Sequence, residues 1–199
     1  MPGLLLATGN KHKLDELSSL FQDLPYELVS PSEIGIDDKV DEAGSSLEEN
    51  ARLKAVTFAT SSCLLTLADD SGLEVEALGG EPGVFSSRYA GENATDANRV
   101  KFLLSKLKGI PEEKRQAKFR CVIAVAVPDG KVELFAGECR GIITFEPRGE
   151  GGFGYDPIFY LPQFGKTMAE LPPEVKNRVS HRGQAAARAR SLLLKLRDI

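Results

Sequence analysis

The chain has 199 residues, of which 42% are hydrophobic and 27% are charged. This composition is that of an ordinary globular protein, and it excludes a disordered chain and a fibre. The formal net charge of −4 has the wrong sign for a dedicated DNA-binding protein. The longest apolar run, residues 121–127, is too short to span a membrane. We therefore expect neither nucleic acid nor a membrane as a partner.

The first residues and the cysteines bear on where the protein works. The opening MPGLLLATGN lacks the basic region and the long apolar segment of a signal peptide. Cys63, Cys121 and Cys139 are odd in number and form no CxxC pair, so we predict neither a zinc site nor a disulfide. A reducing cytoplasm is the simplest location. The length and the lack of a linker predict a single domain over residues 1–199.

The first half of the chain predicts alternating strands and helices. Residues 3–7 are a short apolar run typical of a buried strand, and Asn10 is suited to cap the helix that follows. A second helix is predicted from Ser46, where Ser-Leu-Glu-Glu forms a capping box. Residues 64–68 predict another buried strand, which we expect to end at the Asp-Asp-Ser-Gly of residues 69–72.

The second half adds helices and a hairpin. Helices are predicted over residues 96–108, capped by Thr95, and over 173–196 with an irregularity at 180–183. Four segments have the pattern of strands: 118–127, 131–139, 142–145 and 158–161. A Pro-Asp-Gly turn joins the first two of these strands into a hairpin. The combination predicts an α/β chain with a mixed sheet.

The turn after the first strand has the features of an anion site. Thr8-Gly9-Asn10 joins a strand to a helix N-terminus, where free N–H groups can bind a phosphate. Lys13, one turn into the helix, can add a positive charge. A plain helix cap with a solvated lysine is the alternative, and these residues alone leave both open.

The adjacent carboxylates of Asp69 and Asp70 suit Mg²⁺ binding or the activation of water. Because side chains alternate along an extended segment, we expect the two carboxylates to face different ways. An ordinary Asp-Ser-Gly turn is the alternative.

Two later segments contain groups that suit a nucleotide. The Phe-Gly-Tyr-Asp of residues 153–156 can stack on a base and bond its edge, or form an ordinary aromatic turn. The Ser-His-Arg-Gly of residues 180–183, with Lys176 on the same helical face, suits a phosphate or a purine carbonyl, or is a surface pair. Acids concentrate in residues 31–50 and bases in residues 174–199, either as solvated faces or as metal-side and phosphate-side walls.

Taken together, these segments resemble one known family. The motifs ATGNKHKLDEL, ENARLKA, ADDSGLEVEALGG with SSRYAG, GGFGYDPIF and SHRGQA follow one another across nearly the whole chain. In this order they closely resemble the inosine/xanthosine triphosphate pyrophosphatases, which hydrolyse non-standard purine nucleoside triphosphates to the monophosphate and pyrophosphate.

The resemblance implies an α/β fold in which an elongated mixed sheet and flanking helices form two lobes around a central cleft. It implies a homodimer and Mg²⁺ as the cofactor. Asp70 would be the general base and a metal ligand, Asp69 would assist it, and Lys13 would be catalytic. Glu42 would be the second metal carboxylate, with Asp41 and Glu49 as alternatives.

The resemblance also assigns the substrate-binding residues. The phosphates would be held near the first helix and the base near the later motifs. These residues are Thr8, Gly9, Asn10, Lys11, His12, Lys13 and Lys54 for the phosphate side, Ser71, and Phe153, Gly154, Tyr155, Asp156, Lys176, His181 and Arg182 for the base side.

Two other functions are weighed against this one. A pyrophosphatase for pyrimidine or other modified nucleotides is disfavoured by the SHRG and FGYD motifs. A nucleotide-binding regulator without turnover is disfavoured by the paired Asp69 and Asp70. The resemblance implies ITP, dITP and XTP as substrates. The physical account fits, because donors from His181, Arg182 and the 153–156 backbone suit a 6-oxo group and adenine's amino group would leave them unpaired. The sequence does not indicate how guanine is rejected.

Overall fold

The computed structural model describes residues 1–36, 40 and 44–196. The helices of this part of the chain are α1 (Lys11–Phe21), α2 (Leu47–Ser62), α3 (Asp96–Lys106), α4 (Pro173–Val179) and α5 (His181–Leu196). The strands are β1 (Gly3–Leu6), β2 (Glu27–Val29), β3 (Leu65–Val75), β4 (Gln116–Ala126), β5 (Val132–Ile143), β6 (Phe159–Leu161) and β7 (Lys166–Thr167). Over these ranges, no helix combines the length and the apolar character needed to cross a membrane.

The strands form a mixed sheet in the order β2-β1-β3-β4-β5-β6-β7. Strand β1 pairs in parallel with both β2 and β3. Strand β6 pairs antiparallel with β5 and with β7. The predicted α/β class with a mixed sheet and flanking helices is therefore confirmed.

The register between β1 and β3 places the segments that matter for function. Leu6 lies opposite Leu67, and the Ala7 N–H donates to the Leu67 carbonyl at 2.7 Å. Strand β1 ends at Leu6, whereas β3 continues past Leu67 to Val75. The turn that begins at Thr8 therefore leaves the sheet beside Asp69.

The chain divides into two compact units, each built from separate segments. The first unit contains Met1–Asp70, Cys121–Gly137 and the chain from Arg182 onward, and the second contains Ser71–Arg120 and Glu138–His181. Each unit has its own apolar core of fully buried side chains. Representative members are Leu6, Phe21, Ile123 and Leu193 in the first unit, and Leu73, Leu103, Ile143 and Phe159 in the second. The single-domain organisation and the central cleft stay predictions.

One sequence-based expectation is wrong. Strand β3 does not end at residues 69–72 but continues to Val75. The two aspartates are tolerated in a buried strand because cationic side chains compensate their charges, as described below. Gly72 serves a close approach instead of a turn, since a Cβ atom there would lie 2.3 Å from the Gly83 carbonyl oxygen.

The helix caps agree with the sequence, with one change. The Asn10 side chain accepts from the Lys13 N–H at 3.2 Å and the Ser46 hydroxyl accepts from the Glu49 N–H at 3.2 Å. The Glu49 carboxylate, however, accepts from the N–H and hydroxyl of Ser45, at 2.7 and 2.8 Å, and these bonds lower its pKa. In a capping box this carboxylate would accept from the N–H of Ser46, so the second bond of the box is shifted by one residue.

The remaining elements follow the predicted pattern with altered ends. Thr95 caps α3, which ends at Lys106 instead of residue 108. The hairpin is confirmed, and the strand expected over 142–145 is the end of β5. The irregularity in the last helix is a break at Ser180, which separates α4 from α5. Strands β2 and β7 are too short to leave a periodic pattern and were not predicted.

Candidate active site

The N-terminus of α1 is shaped by the turn that precedes it. The Thr8 hydroxyl accepts from the Asn10 N–H at 3.2 Å, and Asn10 in turn caps the helix. Residues 8–12 are exposed or half-buried. The first N–H groups of a helix have no acceptor within the helix, so this end can receive an anion.

A cavity of 370 Å³ opens beside this turn within the first unit. It combines polar groups of the turn with hydroxyls that follow β2 and an apolar side. Its lining residues are Thr8, Gly9, Lys11, Leu14, Ser30, Pro31, Ser32, Ile36 and Phe58. Three of the predicted phosphate-side residues, Thr8, Gly9 and Lys11, therefore border open space instead of packed core.

Asp69 is a fully buried anion surrounded by cations. Its Oδ2 lies 3.3 Å from the Lys13 ammonium and accepts two hydrogen bonds from Arg182, at 3.0 and 3.1 Å. Burial alone would raise the pKa of Asp69, but the charges of Lys13, Arg182 and Lys54 hold it well below its usual range. Asp69 is therefore ionised at physiological pH and is a poor acceptor for a proton.

Arg182 joins α5 to α1 and β3. Only 1% of the residue is exposed, and its Nη1 donates to Glu16 at 2.5 Å while its other nitrogens bind Asp69. Burial would lower the pKa of Arg182, but the two carboxylates raise it above its usual value. The guanidinium assigned to the base side thus contacts the aspartate of β3, and its role toward the base stays a prediction.

Asp70 contacts a different set of residues. The Asn50 amide donates to its Oδ2 at 3.0 Å, and the Lys54 ammonium lies 3.9 Å from its Oδ1. Lys54 also donates to the Asp69 carbonyl at 2.7 Å, which anchors α2 to β3. The two carboxylates therefore accept hydrogen bonds from different residues, as the alternation along a strand predicts, while Lys54 contacts both aspartates.

The donor set fits a cation that arrives with a substrate. Asp69 Oδ1 is buried and has no hydrogen-bond partner among the described residues. Within those residues no three His, Cys, Asp or Glu side chains cluster as a metal site, whereas Mg²⁺ commonly uses one or two carboxylates plus substrate phosphates. Asp70 can supply one such carboxylate. Glu42 and Asp41 lie outside the described residues, and Glu49 is engaged at the start of α2.

In the second unit, residues 153–156 form a tight turn. The Phe153 carbonyl accepts from the Asp156 N–H at 3.2 Å, and the Asp156 carboxylate accepts from the Phe153 N–H at 3.0 Å. Lys176 binds the same carboxylate at 2.5 Å and lies 5.0 Å from the Phe153 ring centroid. Gly152 allows this ion pair, because a Cβ there would lie 2.1 Å from the carboxylate.

Two further side chains complete this cluster of the second unit. The Tyr155 hydroxyl donates to the Ser86 carbonyl at 2.9 Å, and burial raises the pKa of Tyr155, so that the phenol stays a neutral donor. His181 is 5% exposed and stacks on Phe119, with ring centroids 4.6 Å apart. The imidazole is thus held in a fixed plane.

The predicted site residues therefore fall into two groups, one in each unit. The first unit brings together residues 8–13, Lys54, Asp69, Asp70 and Arg182, and the second contains Ser71, residues 153–156, Lys176 and His181.

Sequence reasoning missed two residues of the first unit. Asn50 precedes Lys54 by one helical turn, and Glu16 follows Lys13 by three residues. Because each lies about one helical turn from a predicted site residue, this spacing was the signal that could have identified them.

Comparison with known proteins identifies the family of this chain. The Ham1 family model matches residues 4–192. A protein named dITP/XTP pyrophosphatase from Geobacter sulfurreducens is 52% identical over 188 residues, which cover 94% of each chain. A protein of the same name from Desulforamulus reducens is 50% identical, with 97% of this chain and 96% of the relative covered.

A solved structure has the same fold as this chain. The structure of a HAM1 protein from Coxiella burnetii superposes with a TM-score of 0.88 at 44% identity, and covers 98% of this chain and 100% of that protein. The family model and the relatives span almost the whole chain, including both groups of site residues. The chain therefore belongs to the Ham1 family.

Proposed function

We propose that this protein hydrolyses nucleoside triphosphates with non-standard purine bases, such as ITP, dITP and XTP, to the monophosphate and pyrophosphate. Relatives of 44–52% identity over nearly the whole chain have names that state this activity. The observation that carries the proposal is the pair Asp69 and Asp70, surrounded by Lys13, Lys54 and Arg182 beside the N-terminus of α1.

The triphosphate binds at the N-terminus of α1. The N–H groups of the first turn and the partial positive charge of the helix end favour an anion there. Lys13 adds a full charge, and its position 3.3 Å from Asp69 keeps the ammonium beside the aspartate pair. The tail of the nucleotide is therefore neutralised next to the residues that activate water.

Asp70 accepts the proton of the attacking water, which attacks the α-phosphorus. Asn50 and Lys54 fix the orientation of its carboxylate, as a general base requires. Asp69 is unsuited to this step because its pKa is held so low. It acts instead by positioning Lys13 and Arg182.

The chemistry also calls for a divalent cation, since several carboxylates near a triphosphate would otherwise repel it. Asp70 and Glu42 would hold Mg²⁺, and Asp69 would support Asp70 from within β3. When bound, the ion neutralises phosphate charge and stabilises the pyrophosphate leaving group.

The 153–156 turn, Lys176 and His181 recognise the purine. Three of the four backbone N–H groups of the turn already have acceptors. Among the described residues the Tyr155 N–H has none, so it is the donor that would meet a 6-oxo group. Adenine has an amino group at that position, so each buried donor left unpaired would cost about 1–3 kcal/mol. The 6-oxo purines are therefore preferred over ATP.

The test is incubation with Mg²⁺ and a panel of ITP, XTP, dITP, GTP, ATP and UTP, followed by product identification. We expect IMP, XMP and dIMP with pyrophosphate in one step, and little turnover of GTP, ATP and UTP. IDP with free phosphate as first products would refute attack at the α-phosphorus. Tight binding of ITP without any product would favour a regulator, and preference for UTP a pyrimidine pyrophosphatase.

We further propose a homodimer that works in the cytoplasm. The dimer depends on the family resemblance of the ordered motifs, and the location depends on the pattern of the cysteines. Light scattering coupled to size-exclusion chromatography tests the first, with a monomer mass as the contrary result. Cell fractionation followed by immunoblotting tests the second, with recovery outside the cytoplasmic fraction as the contrary result.

A further inference from the structure

The purine-side turn has an unusual backbone geometry. Gly154 has φ +62°, Tyr155 has φ −93° and ψ 4°, and the Phe153 carbonyl accepts from the Asp156 N–H. These features match a type II′ turn, in which a glycine takes the first central position. The type of turn decides which way the central peptide faces. Here that peptide contains the Tyr155 N–H, the donor left for a base.

A carboxylate distant in sequence holds this turn. Asp96 Oδ2 accepts from the Gly154 N–H at 2.6 Å, across 58 residues of sequence. The carbonyl of the same peptide, that of Phe153, accepts from the Asp156 N–H. The Phe153–Gly154 peptide is therefore clamped on both sides, by Asp96 and by the hydrogen bond of the turn itself.

Asp96 is itself anchored. It is the first residue of α3, where the helix dipole favours a carboxylate. Its Oδ1 pairs with Arg99, which also donates to the Ser87 carbonyl at 2.8 Å. Ser86, the neighbour of Ser87, accepts from the Tyr155 hydroxyl at 2.9 Å. The turn is thus held from two sides by one connected group of residues in the second unit.

We propose that Asp96 is a positioning residue for purine selection, which acts through the Gly154 N–H to fix the direction of the Tyr155 N–H. The inference rests on the proposed function, because it assigns the turn to the base. Asp96 touches neither the phosphate-side residues nor Asp70 in the described contacts. Its loss is therefore expected to change which nucleotides are accepted more than how fast the bond is cleaved.

The test compares Asp96→Ala with Thr95→Ala. Both changes remove a group that favours the start of α3, but only the first removes the acceptor of the Gly154 N–H. We expect Asp96→Ala to lower the ratio of kcat/KM for ITP over ATP by at least about tenfold, mainly through KM. Thr95→Ala is expected to keep the wild-type ratio. Asp96→Asn retains an acceptor oxygen and is expected to restore most of the ratio.

A second measurement does not depend on turnover. Amide exchange measured by NMR is expected to be at least about tenfold faster for Gly154 in Asp96→Ala than in Thr95→Ala. If Asp96→Ala does not fold, Asp96→Ser is the second variant. The serine side chain is too short to accept from the Gly154 N–H, but it is suited to a helix start.

The outcomes distinguish failure of the role of Asp96 from failure of the proposed function. An active wild type with an unchanged ITP-to-ATP ratio in Asp96→Ala, or equal losses for all nucleotides, would overturn the role of Asp96 alone. A wild type that hydrolyses none of the triphosphates, with a protected Gly154 amide, would overturn the proposed function and with it this inference.

Discussion

Two neighbouring aspartates of β3 have different partners. Asp69 is buried against Lys13 and Arg182, and its pKa is held far below the usual range. Asp70 is oriented by Asn50 and keeps 6% exposure. A residue that stays ionised at physiological pH suits a structural anion, whereas a general base must take up a proton during the reaction. The roles of the two can therefore be tested separately.

Asp70→Asn keeps the size of the side chain but cannot accept a proton from water. We expect kcat for ITP to fall by at least about 10²-fold, the ordinary range for loss of a general base. Binding of ITP, measured by calorimetry with Mg²⁺, is expected to persist. Near-normal turnover would contradict the assignment. So would a larger loss of kcat in Asp69→Asn, because the roles of the two carboxylates would then be exchanged.

Asp69→Asn is expected to act mainly on stability. It removes the buried anion that lies against the Lys13 ammonium and the Arg182 guanidinium, although the ion pair of Arg182 with Glu16 remains. Removing one partner of a buried ion pair typically costs about 3–5 kcal/mol of the free energy of unfolding. Urea unfolding of both variants measures this, with Asp70→Asn as the matched control. Equal unfolding midpoints for the two variants would mean that the buried cations have other compensation.

The low pKa of Asp69 also sets a pH dependence. Since its pKa in the folded protein lies below the ordinary value of 3.8, it contributes stability that is present above that value and is lost as the pH falls below it. The wild type is expected to lose free energy of unfolding below about pH 4 more steeply than Asp69→Asn. Parallel acid profiles of the two proteins, measured by thermal unfolding, would contradict this.

At the scale of elements, β3 shows why a strand can contain polar residues. Gly72 permits the Gly83 carbonyl to approach, and the Ser86 hydroxyl donates to that carbonyl and accepts from the Leu73 N–H. These contacts secure the 3₁₀ helix Gly83–Arg88 against the strand. Residues 69–72 are therefore a continuous part of the sheet, and the glycine serves packing.

Gly72→Ala is expected to be destabilising. Its Cβ would lie 2.3 Å from a backbone oxygen, which cannot move as a flexible side chain can. Overpacking of this kind typically costs about 1–3 kcal/mol of the free energy of unfolding. Gly3→Ala is the matched control, because that strand glycine would meet only Leu64 at 3.4 Å. Equal unfolding midpoints would mean that the strand can shift without cost.

Local signals explain which elements could be predicted. The caps Asn10, Ser46 and Thr95 act on neighbouring N–H groups, so the sequence contains all the information about them. The continuation of β3 depends on cations more than ten residues away, which no local pattern reveals. Strands β2 and β7 exist only through their partners.

In the candidate site, too, the local features could be predicted and the contacts distant in sequence could not. The motifs identified the aspartate pair, the α1 turn and the 153–156 turn, because each is contiguous in sequence. They did not indicate that Arg182 binds Asp69 or that Asp96 holds Gly154, since those contacts join residues 113 and 58 positions apart. Contacts of that kind depend on the three-dimensional arrangement of the elements within each unit.

At the scale of the whole molecule, the first unit compensates its buried acid without a metal. Lys13 and Arg182 neutralise Asp69, and no group of three metal-ligating side chains occurs in the described ranges. We therefore expect the fold not to depend on the cation proposed for the reaction. In a protein with a structural metal, removal of the ion lowers both the activity and the unfolding temperature. Here we expect removal of the ion to lower the activity alone.

Chelation tests this expectation. With excess EDTA we expect hydrolysis of ITP to stop and to return on addition of Mg²⁺, because the triphosphate is no longer neutralised beside the carboxylates. The unfolding temperature without nucleotide is expected to stay within about 1 °C, since an ion that binds weakly to the free protein contributes little by mass action. Nucleotide and Mg²⁺ together should raise it. A fall of several degrees with EDTA alone would indicate a structural metal, and full activity in EDTA would refute the role of Mg²⁺.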